Sequence, residues 1–239
     1  MVSIKDSYTA KWTGSVCLAA KLNSHLTTSR QTLFVILTPM NVGLCGSHRT
    51  GKTTLAEAIS QRTGLPFLRT VTSEVFQKCG LDPSRPIDFK KRLWIQHKIL
   101  DAAEKIWQTE EKQFITDRTP LDMMAYTLAD IQGTTEVNFD ELEEYLARCF
   151  DVTNTFFALL VLVQPGIPLL HEEGKAALNE GYLEHLNYMI LGLCNDDRVR
   201  GTFIYLHRAM TSLDDRVGTV LNELKVKQRN KDRTPYDIP

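Results

Sequence analysis

The sequence lacks several features that would assign it to a particular class of protein. Its 28 basic and 29 acidic residues almost cancel, so the formal net charge of the 239 residues is -1. No run of like charges reaches five residues. Overall charge therefore gives no basis for binding nucleic acid or an anionic membrane, and such binding would need a local basic groove.

Cysteine pairs and long apolar runs are also missing. The five cysteines show no CxxC spacing and are odd in number, which fits neither a disulfide framework nor a zinc site. They predict reduced thiols in an intracellular, cytoplasmic protein. The longest apolar run, at 156–163, is far too short to cross a bilayer and predicts a buried strand. We therefore expect no membrane partner.

Short apolar runs alternate with longer helical segments from Met40 onward, a pattern that is typical of parallel βαβ units. The predicted strands cover 41–45, 65–70, 113–117, 156–163 and 202–206. The predicted helices begin near Lys52, Phe89, Pro120, Asp140, Leu178 and Ser212. The pattern indicates one α/β domain over residues 40–225, followed by a polar, proline-bearing C-terminal tail at 226–239.

The first 39 residues have a different composition from the rest of the chain. They hold Ser or Thr at 11 positions and four Lys or Arg, with Asp6 as the one acid. Three interpretations stay open: a leader upstream of a start at Met40, a targeting peptide, or an extra strand at 33–37 that packs on the domain. Of these we favour a leader, or at least a poorly ordered extension, for residues 1–39.

The segment between the first predicted strand and the first predicted helix matches the pattern G-x-x-x-x-G-K-[ST]. Its glycines allow backbone N–H groups to turn inward, and the helix that follows adds the positive end of its dipole. Lys52 is expected to reach the β- and γ-phosphates of ATP, and the Thr53 hydroxyl to bind Mg²⁺. We name residues 46–53 the phosphate loop. The residues expected to contact ATP are Gly46, Ser47, His48, Arg49, Thr50, Gly51, Lys52, Thr53 and Thr54.

A second acidic element, TDRTPLD at 116–122, follows the third predicted strand. Asp117 and Arg118 end that strand, and Pro120 begins the next helix, where proline is tolerated. We expect Asp117 to hold Mg²⁺ through water or to take a proton from an acceptor hydroxyl, and Arg118 to clamp a phosphate. The alternative is an ordinary strand-end Asp next to a helix cap at Thr119.

With these two segments the chain resembles the P-loop nucleoside and nucleotide kinases, a group that includes thymidylate kinase, deoxynucleoside kinases, nicotinamide-riboside kinase and phage-type deoxynucleotide kinases. The resemblance covers about 40–225 and depends on GSHRTGKTT and TDRTPLD. A motor or AAA-type ATPase would usually show consecutive acids after an apolar strand, with sensor and arginine-finger segments, and the sequence displays none. The resemblance implies a three-layer αβα fold, with a parallel five-stranded sheet of order 2-3-1-4-5 and a small lid.

The resemblance also implies where an acceptor would bind, namely across the ends of strands 2 and 3 against the first long helix. The residues in those places that are expected to contact sugar, phosphate or base are Arg69, Thr72, Arg92 and Gln96. Trp94 or Phe76 could stack on a base, although a Trp at the helical spacing of Trp94 is more often a core residue. The lid would lie within 164–187, which is poor in arginine. The positive charge would then come from Arg49, Arg118 or Arg208.

Taken together, the sequence predicts an ATP- and Mg²⁺-dependent kinase of a nucleoside, a nucleoside monophosphate or a related small acceptor, in which Lys52, Asp117 and Arg118 act in the chemistry. One alternative is a kinase of a hydroxymethylated base within DNA, because Arg85, Lys90, Lys91, Arg92 and Lys98 could line a basic groove. Another is an ATPase or nucleotide-switch module that binds a protein partner. The expected partners are the acceptor, DNA under the first alternative, and a second copy in a possible homodimer.

Overall fold

The computed structural model describes residues 40–232, apart from 83, 84, 86, 111 and 170–178. The predicted extension at 1–39, the end of the tail at 233–239 and the middle of the lid lie outside the described residues. In the described part of the chain no helix is long and apolar enough to cross a membrane.

Five strands form one parallel sheet, whose order β2-β3-β1-β4-β5 is the order predicted from the resemblance. The strands are β1 (Asn41–Cys45), β2 (Phe67–Leu68), β3 (Ile115–Thr116), β4 (Phe157–Val163) and β5 (Thr202–Leu206). β1 lies at the centre, paired with β3 on one side and with β4 on the other. The carboxyl end of β1 therefore opens into the phosphate loop at a point where strands pair on both sides.

Seven helices connect and cover these strands in the described residues. They are α1 (Lys52–Thr63), α2 (Thr72–Lys78), α3 (Phe89–Thr109), α4 (Pro120–Ala129), α5 (Phe139–Phe156), α6 (Glu180–Cys194) and α7 (Leu213–Asp232). Helix starts follow local signals: Asp88 caps α3, Asn138 caps α5 and Asn179 caps α6, each through a side-chain oxygen that accepts a backbone N–H.

The sheet separates two hydrophobic cores, as the three-layer prediction requires. Alternate residues of β1 and β4 point to opposite faces, since side chains alternate along a strand. On one face, β1 and β4 pack against Leu55 and Ile59 of α1 and Val217 and Val220 of α7. On the other face they pack against α3, α4, α5 and α6. The helices of both faces consequently border the carboxyl edge of the sheet, where the predicted site residues lie.

The structure differs from the sequence prediction in the length of two strands, in one additional helix and in the end of the last helix. β2 and β3 are each two residues long, much shorter than the predicted 65–70 and 113–117, because pairing and not hydropathy decides where a strand ends. Residues 72–78 form α2, which was not predicted, because a helix of seven residues leaves too short a periodic signal. α7 continues to Asp232, beyond the tail boundary predicted at residue 225.

Candidate functional site

The phosphate loop connects β1 to α1 through a turn that needs glycine at its first position. Gly46 has a φ of 150°, and a Cβ atom there would lie 2.3 Å from the carbonyl oxygen of Val163. Gly51, just before α1, has a φ of 83°, and Arg49 has a φ of 59°. The loop therefore sits tightly against the end of β4 in a left-handed conformation that most residues avoid.

Lys52 folds back across the loop from the first turn of α1. Its Nζ donates hydrogen bonds to the carbonyl oxygens of Gly46 at 2.6 Å and Ser47 at 2.7 Å. Burial lowers the pKa of Lys52, and the carboxylates of Asp122 and Asp117 oppose that shift. The Ser47 hydroxyl beside it is buried without a hydrogen-bond partner. The loop thus holds a buried cation and a spare hydroxyl, which are the groups that a phosphate would bind.

Thr53 and Asp117, the two predicted Mg²⁺ ligands, are in direct contact. The Thr53 hydroxyl donates a hydrogen bond of 2.6 Å to Oδ2 of Asp117, across the gap between α1 and the end of β3. Oδ1 of Asp117 is buried and has no hydrogen-bond partner. Mg²⁺ prefers oxygen ligands and takes only one or two carboxylates from a protein, with the rest from water and phosphate. The pair therefore fits a magnesium ion in chemistry and in number.

Arg118 lies next to the loop, above an aromatic ring of α4. Its Cζ is 5.3 Å from the ring centre of Tyr126, within the range of a cation–π contact. The hydroxyl of Tyr126 lies 3.1 Å from Nδ1 of His48, a phosphate-loop residue. Tyr182 of α6 approaches His48 from another side, with 6.0 Å between ring centres. His48, Tyr126 and Tyr182 thus form an aromatic wall that extends from the loop toward α6.

His48 is held in its neutral form by this wall. Burial and the charges of Lys52, Arg49 and Arg118 lower its pKa from 6.5 to about 4. The unfolded chain therefore binds a proton between pH 6.5 and 4 that the folded chain does not, so stability falls as pH falls through this window. We expect His48→Phe, which keeps a ring but cannot titrate, to flatten the pH dependence of Tm between 6.5 and 4. Parallel Tm curves for both proteins would contradict this.

Asp122 is a site residue that the sequence prediction missed. Its Oδ1 accepts the backbone N–H of Gly46 at 2.8 Å, and its Oδ2 accepts both the N–H and the hydroxyl of Thr119, at 2.8 and 2.9 Å. Burial raises its pKa, whereas Lys52 and Arg118 act to lower it. This carboxylate ties the start of the phosphate loop to the start of α4. It also shows that Asp122, and not Asp117, is the acid that supports the helix cap at Thr119.

Asp122→Ala is expected to destabilise the fold. It strands the buried N–H of Gly46, at a cost of about 1–3 kcal/mol in the free energy of unfolding. It also removes the Asp122 half of the capping box at the start of α4, which adds about 1 kcal/mol. Urea denaturation measures both effects together. Glu141→Ala is the matched control, because Glu141 occupies the same turn of α5 but is exposed; equal losses in the two variants would refute the role given to Asp122.

The predicted acceptor residues on α2 and α3 come together only in part. Thr72 begins α2, and its hydroxyl is buried without a hydrogen-bond partner. Gln96 of α3 is 5% exposed. Arg92 forms a close ion pair with Asp130, at the end of α4, and both side chains are largely buried. Its Cζ also lies 6.0 Å from the ring centre of Phe76, which is itself buried. Asp130 therefore neutralises the cation expected to meet an acceptor.

Three other cations or rings that the sequence singled out lie at the surface. Arg69 forms an exposed ion pair of 2.6 Å with Glu57 of α1. Trp94 is 46% exposed and contacts Lys98, so it is not part of the core. Arg208, a proposed source of charge for the lid, forms an ion pair with Glu184 of α6. Glu57 and Glu184 lie on helices away from the arginines they pair with, so pattern alone gives no sign of them, whereas Lys98 lies one helical turn after Trp94 on α3.

The site residues that the sequence prediction missed differ in whether the sequence contains a signal for them. Asp122 stands three positions after Thr119 at the start of a helix, which is the spacing of a capping box and could have been recognised. Tyr126 lies one turn further along the same helix. Asp130, Tyr182 and Arg216, the last of which contacts the loop from α7, had no signal of their own because their partners lie on other elements.

The fold and the loop together define a P-loop protein with the architecture of the nucleoside and nucleotide kinases. The family model described as an AAA domain matches residues 41–160, which are 120 of the 239 residues. The chain therefore belongs to that AAA domain family. The matched range runs from β1 through the phosphate loop to the first residues of β4, and it contains both segments on which the resemblance to nucleoside and nucleotide kinases depends.

Several solved structures share the fold. A deoxyadenosine kinase from M. mycoides with dCMP and dCDP bound is 16% identical, covers 79% of this chain and 100% of its own, and has a TM-score of 0.59. A thymidylate kinase from Candida albicans is 13% identical, with coverages of 80% and 93% and a TM-score of 0.54. The NadR protein in complex with NR is 14% identical, with coverages of 77% and 51% and a TM-score of 0.56. A comparison with curated protein sequences gave no significant match.

Proposed function

We propose that this protein transfers the γ-phosphoryl group of ATP, with Mg²⁺, to a nucleoside, a (deoxy)nucleoside monophosphate or a related small acceptor. The observation that carries the proposal is the hydrogen bond of 2.6 Å between Thr53 and Asp117, beside the buried Lys52. It puts a hydroxyl, a carboxylate and a cation at the carboxyl edge of the sheet. A bound Mg²⁺ would supply charge neutralisation to the β- and γ-phosphates.

The cations around the loop support transfer more than simple storage of a nucleotide. Lys52 lies at the loop and Arg118 is close enough to influence the pKa of Lys52 and of His48. Arg49 belongs to the loop itself. Such fixed cations stabilise the negative charge on the phosphoryl group in the transition state. Catalysis of phosphoryl transfer consists largely of positioning the reactants and neutralising this charge. Asp117 is then the group that holds the metal or accepts the proton of an acceptor hydroxyl.

The acceptor would lie between α2, α3 and α4, where Thr72 and Gln96 offer polar groups within a largely buried wall. The ion pair of Arg92 with Asp130 would border that space, and Tyr182 lies near it, because both charges influence its pKa. Thr72, Arg92 and Gln96 therefore remain the proposed acceptor residues. Arg69 keeps that role only if its surface pair with Glu57 opens.

The decisive experiment measures ADP release from ATP-Mg²⁺ with single nucleosides, nucleoside monophosphates and hydroxymethyl-modified DNA, each beside a reaction without acceptor. The proposal expects release that depends on one small acceptor, together with a phosphorylated product seen by mass spectrometry. Stimulation by modified DNA alone would favour the DNA alternative. Against that alternative, two of the five basic residues predicted to line a DNA-binding groove form ion pairs within the chain: Arg85 pairs with Asp82 and Arg92 with Asp130.

Membership of the AAA domain family favours a second candidate, an ATPase or nucleotide-switch module that acts on a protein partner. In that case ADP release would be slow, would not depend on any acceptor, and would increase when the partner is added. The same assay separates the two candidates. If ADP forms but none of the tested acceptors is phosphorylated, the kinase proposal is wrong and the ATPase or nucleotide-switch module takes its place.

A further inference from the structure

Arg216 of α7 is buried at the back of the phosphate loop. The residue is 3% exposed, although the buried residues near it on α7, Val217 and Val220, are apolar. Its Nη1 donates a hydrogen bond of 2.9 Å to the carbonyl oxygen of Thr50, within the loop. Its Nε donates another, of 2.5 Å, to the carbonyl oxygen of Met210, in the segment 207–212 that follows β5. One guanidinium therefore joins two loops that are far apart in the sequence.

This cation is buried without a compensating acid. In the described part of the chain no carboxylate forms an ion pair with Arg216, and burial alone lowers its pKa. Its Nη2 is also buried and lacks a hydrogen-bond partner. An arginine buried without a counter-ion carries a desolvation cost, which an apolar side chain such as methionine would avoid. Packing by itself therefore does not account for an arginine at this position.

The contact with Thr50 concerns the geometry that binds phosphate. A loop of this kind works because its N–H groups point toward the phosphate, which requires its carbonyl groups to point away. Arg216 holds the Thr50 carbonyl in an outward direction. Its Nη1 would lie 3.6 Å from a Cβ atom on Gly51, the left-handed residue before α1. At the other end of the loop, Asp122 of α4 holds the N–H of Gly46.

We propose that Arg216 is a positioning residue for triphosphate binding, which fixes the phosphate loop from behind and joins it to the segment 207–212. Together with Asp122 it gives the loop one buried charged anchor at each end, each supplied by a helix outside the loop. The inference rests on the triphosphate binding contained in the proposed function, but it is independent of the acceptor and of phosphoryl transfer.

The test compares the Kd of ATP-Mg²⁺ and of inorganic tripolyphosphate, measured by calorimetry, for Arg216→Met, Arg216→Lys and the native chain. Arg216→Met is expected to weaken both ligands roughly 10-fold, the loss of one hydrogen bond to a charged group, with little change in the Tm of the ligand-free protein. Arg216→Lys keeps the charge but reaches only one carbonyl, so its Kd values should lie between those of the native chain and those of Arg216→Met. Tripolyphosphate has no base or sugar, and its loss of affinity would place the effect at the loop.

The matched control is Arg62→Met. Arg62 of α1 forms an ion pair with Asp214 of α7, so it also links these two helices, but it lies at the surface and does not touch the loop. Unchanged affinities in Arg216→Met, or losses as large in Arg62→Met, would overturn the proposal. Weaker ATP with unchanged tripolyphosphate would also overturn it. If Arg216→Met does not fold, Arg216→Lys is judged by the same outcomes. A native chain that binds ATP but phosphorylates no acceptor would refute the proposed function and leave this inference standing.

Discussion

Asp117→Asn is expected to abolish most phosphoryl transfer while ATP binding is kept. Asparagine has the same shape and retains an oxygen that can accept the Thr53 hydroxyl, so the local structure should persist. It lacks the negative charge, and it therefore serves poorly as a Mg²⁺ ligand and not at all as a base. A loss of about 10²–10⁴ in kcat is the size expected for removal of such a group. Steady-state kinetics measure this loss in kcat, with the acceptor identified by the ADP-release assay.

The control for this variant is Asp214→Asn, which makes the same chemical change at an exposed ion pair with Arg62. Its activity should equal that of the native protein. ATP affinity, measured by calorimetry without acceptor, should be similar in all three proteins. Full turnover by Asp117→Asn would remove Asp117 from the chemistry and with it the observation on which the proposed function depends.

Lys52→Ala is expected to lower phosphoryl transfer on the order of 10³-fold, the size seen when one charge-stabilising donor is removed from a site. In the structure the ammonium group of Lys52 bonds to the carbonyl oxygens of Gly46 and Ser47, within the loop. A triphosphate would have to attract this group away from them. The substitution also removes the cation with the largest effect on the pKa of the buried Asp122 carboxylate, so a lower Tm should accompany the loss of activity.

Two measurements separate these effects. Kinetics at a temperature well below the Tm of the variant report on transfer alone, and calorimetry with ATP reports on binding. Lys105→Ala, at an exposed position of α3, provides the control for loss of a lysine and should change neither. Unchanged kinetics in Lys52→Ala would count against a phosphate-binding role for the whole loop.

The central strands and the loop were predictable because their signals are local. β4 is a continuous apolar run and β1 and β5 are mostly apolar, and short runs of this kind between turn residues predict strands of a parallel sheet. The phosphate loop is defined by residue types at fixed spacing, and Asp117 by its place after a strand. The order of the sheet came from the resemblance to kinases, and the structure confirms it. The edge strand β2 and the short helix α2 depend on pairing and packing, which the pattern does not contain.

The electrostatic partners could not be predicted, since each pair joins elements that meet only in the folded chain. Arg92 and Arg208 read as cations available to a substrate, yet Asp130 and Glu184 neutralise them from neighbouring helices. The depressed pKa of His48 has the same origin, because it depends on burial behind Tyr126 and Tyr182. Residue type predicts which groups can ionise, whereas burial and neighbours decide which of them carry charge.

Residue pattern alone predicted a parallel α/β domain, which the structure confirms, and it also predicts a loop for a triphosphate and a strand-end carboxylate that binds metal together with Thr53. These properties follow from spacing along the chain. Folding decided that the loop is anchored at Gly46 by Asp122 and at Thr50 by Arg216. The reason is geometric: a parallel sheet brings the ends of its strands to one edge, so helices 76 and 166 residues away in the chain supply the two anchors there.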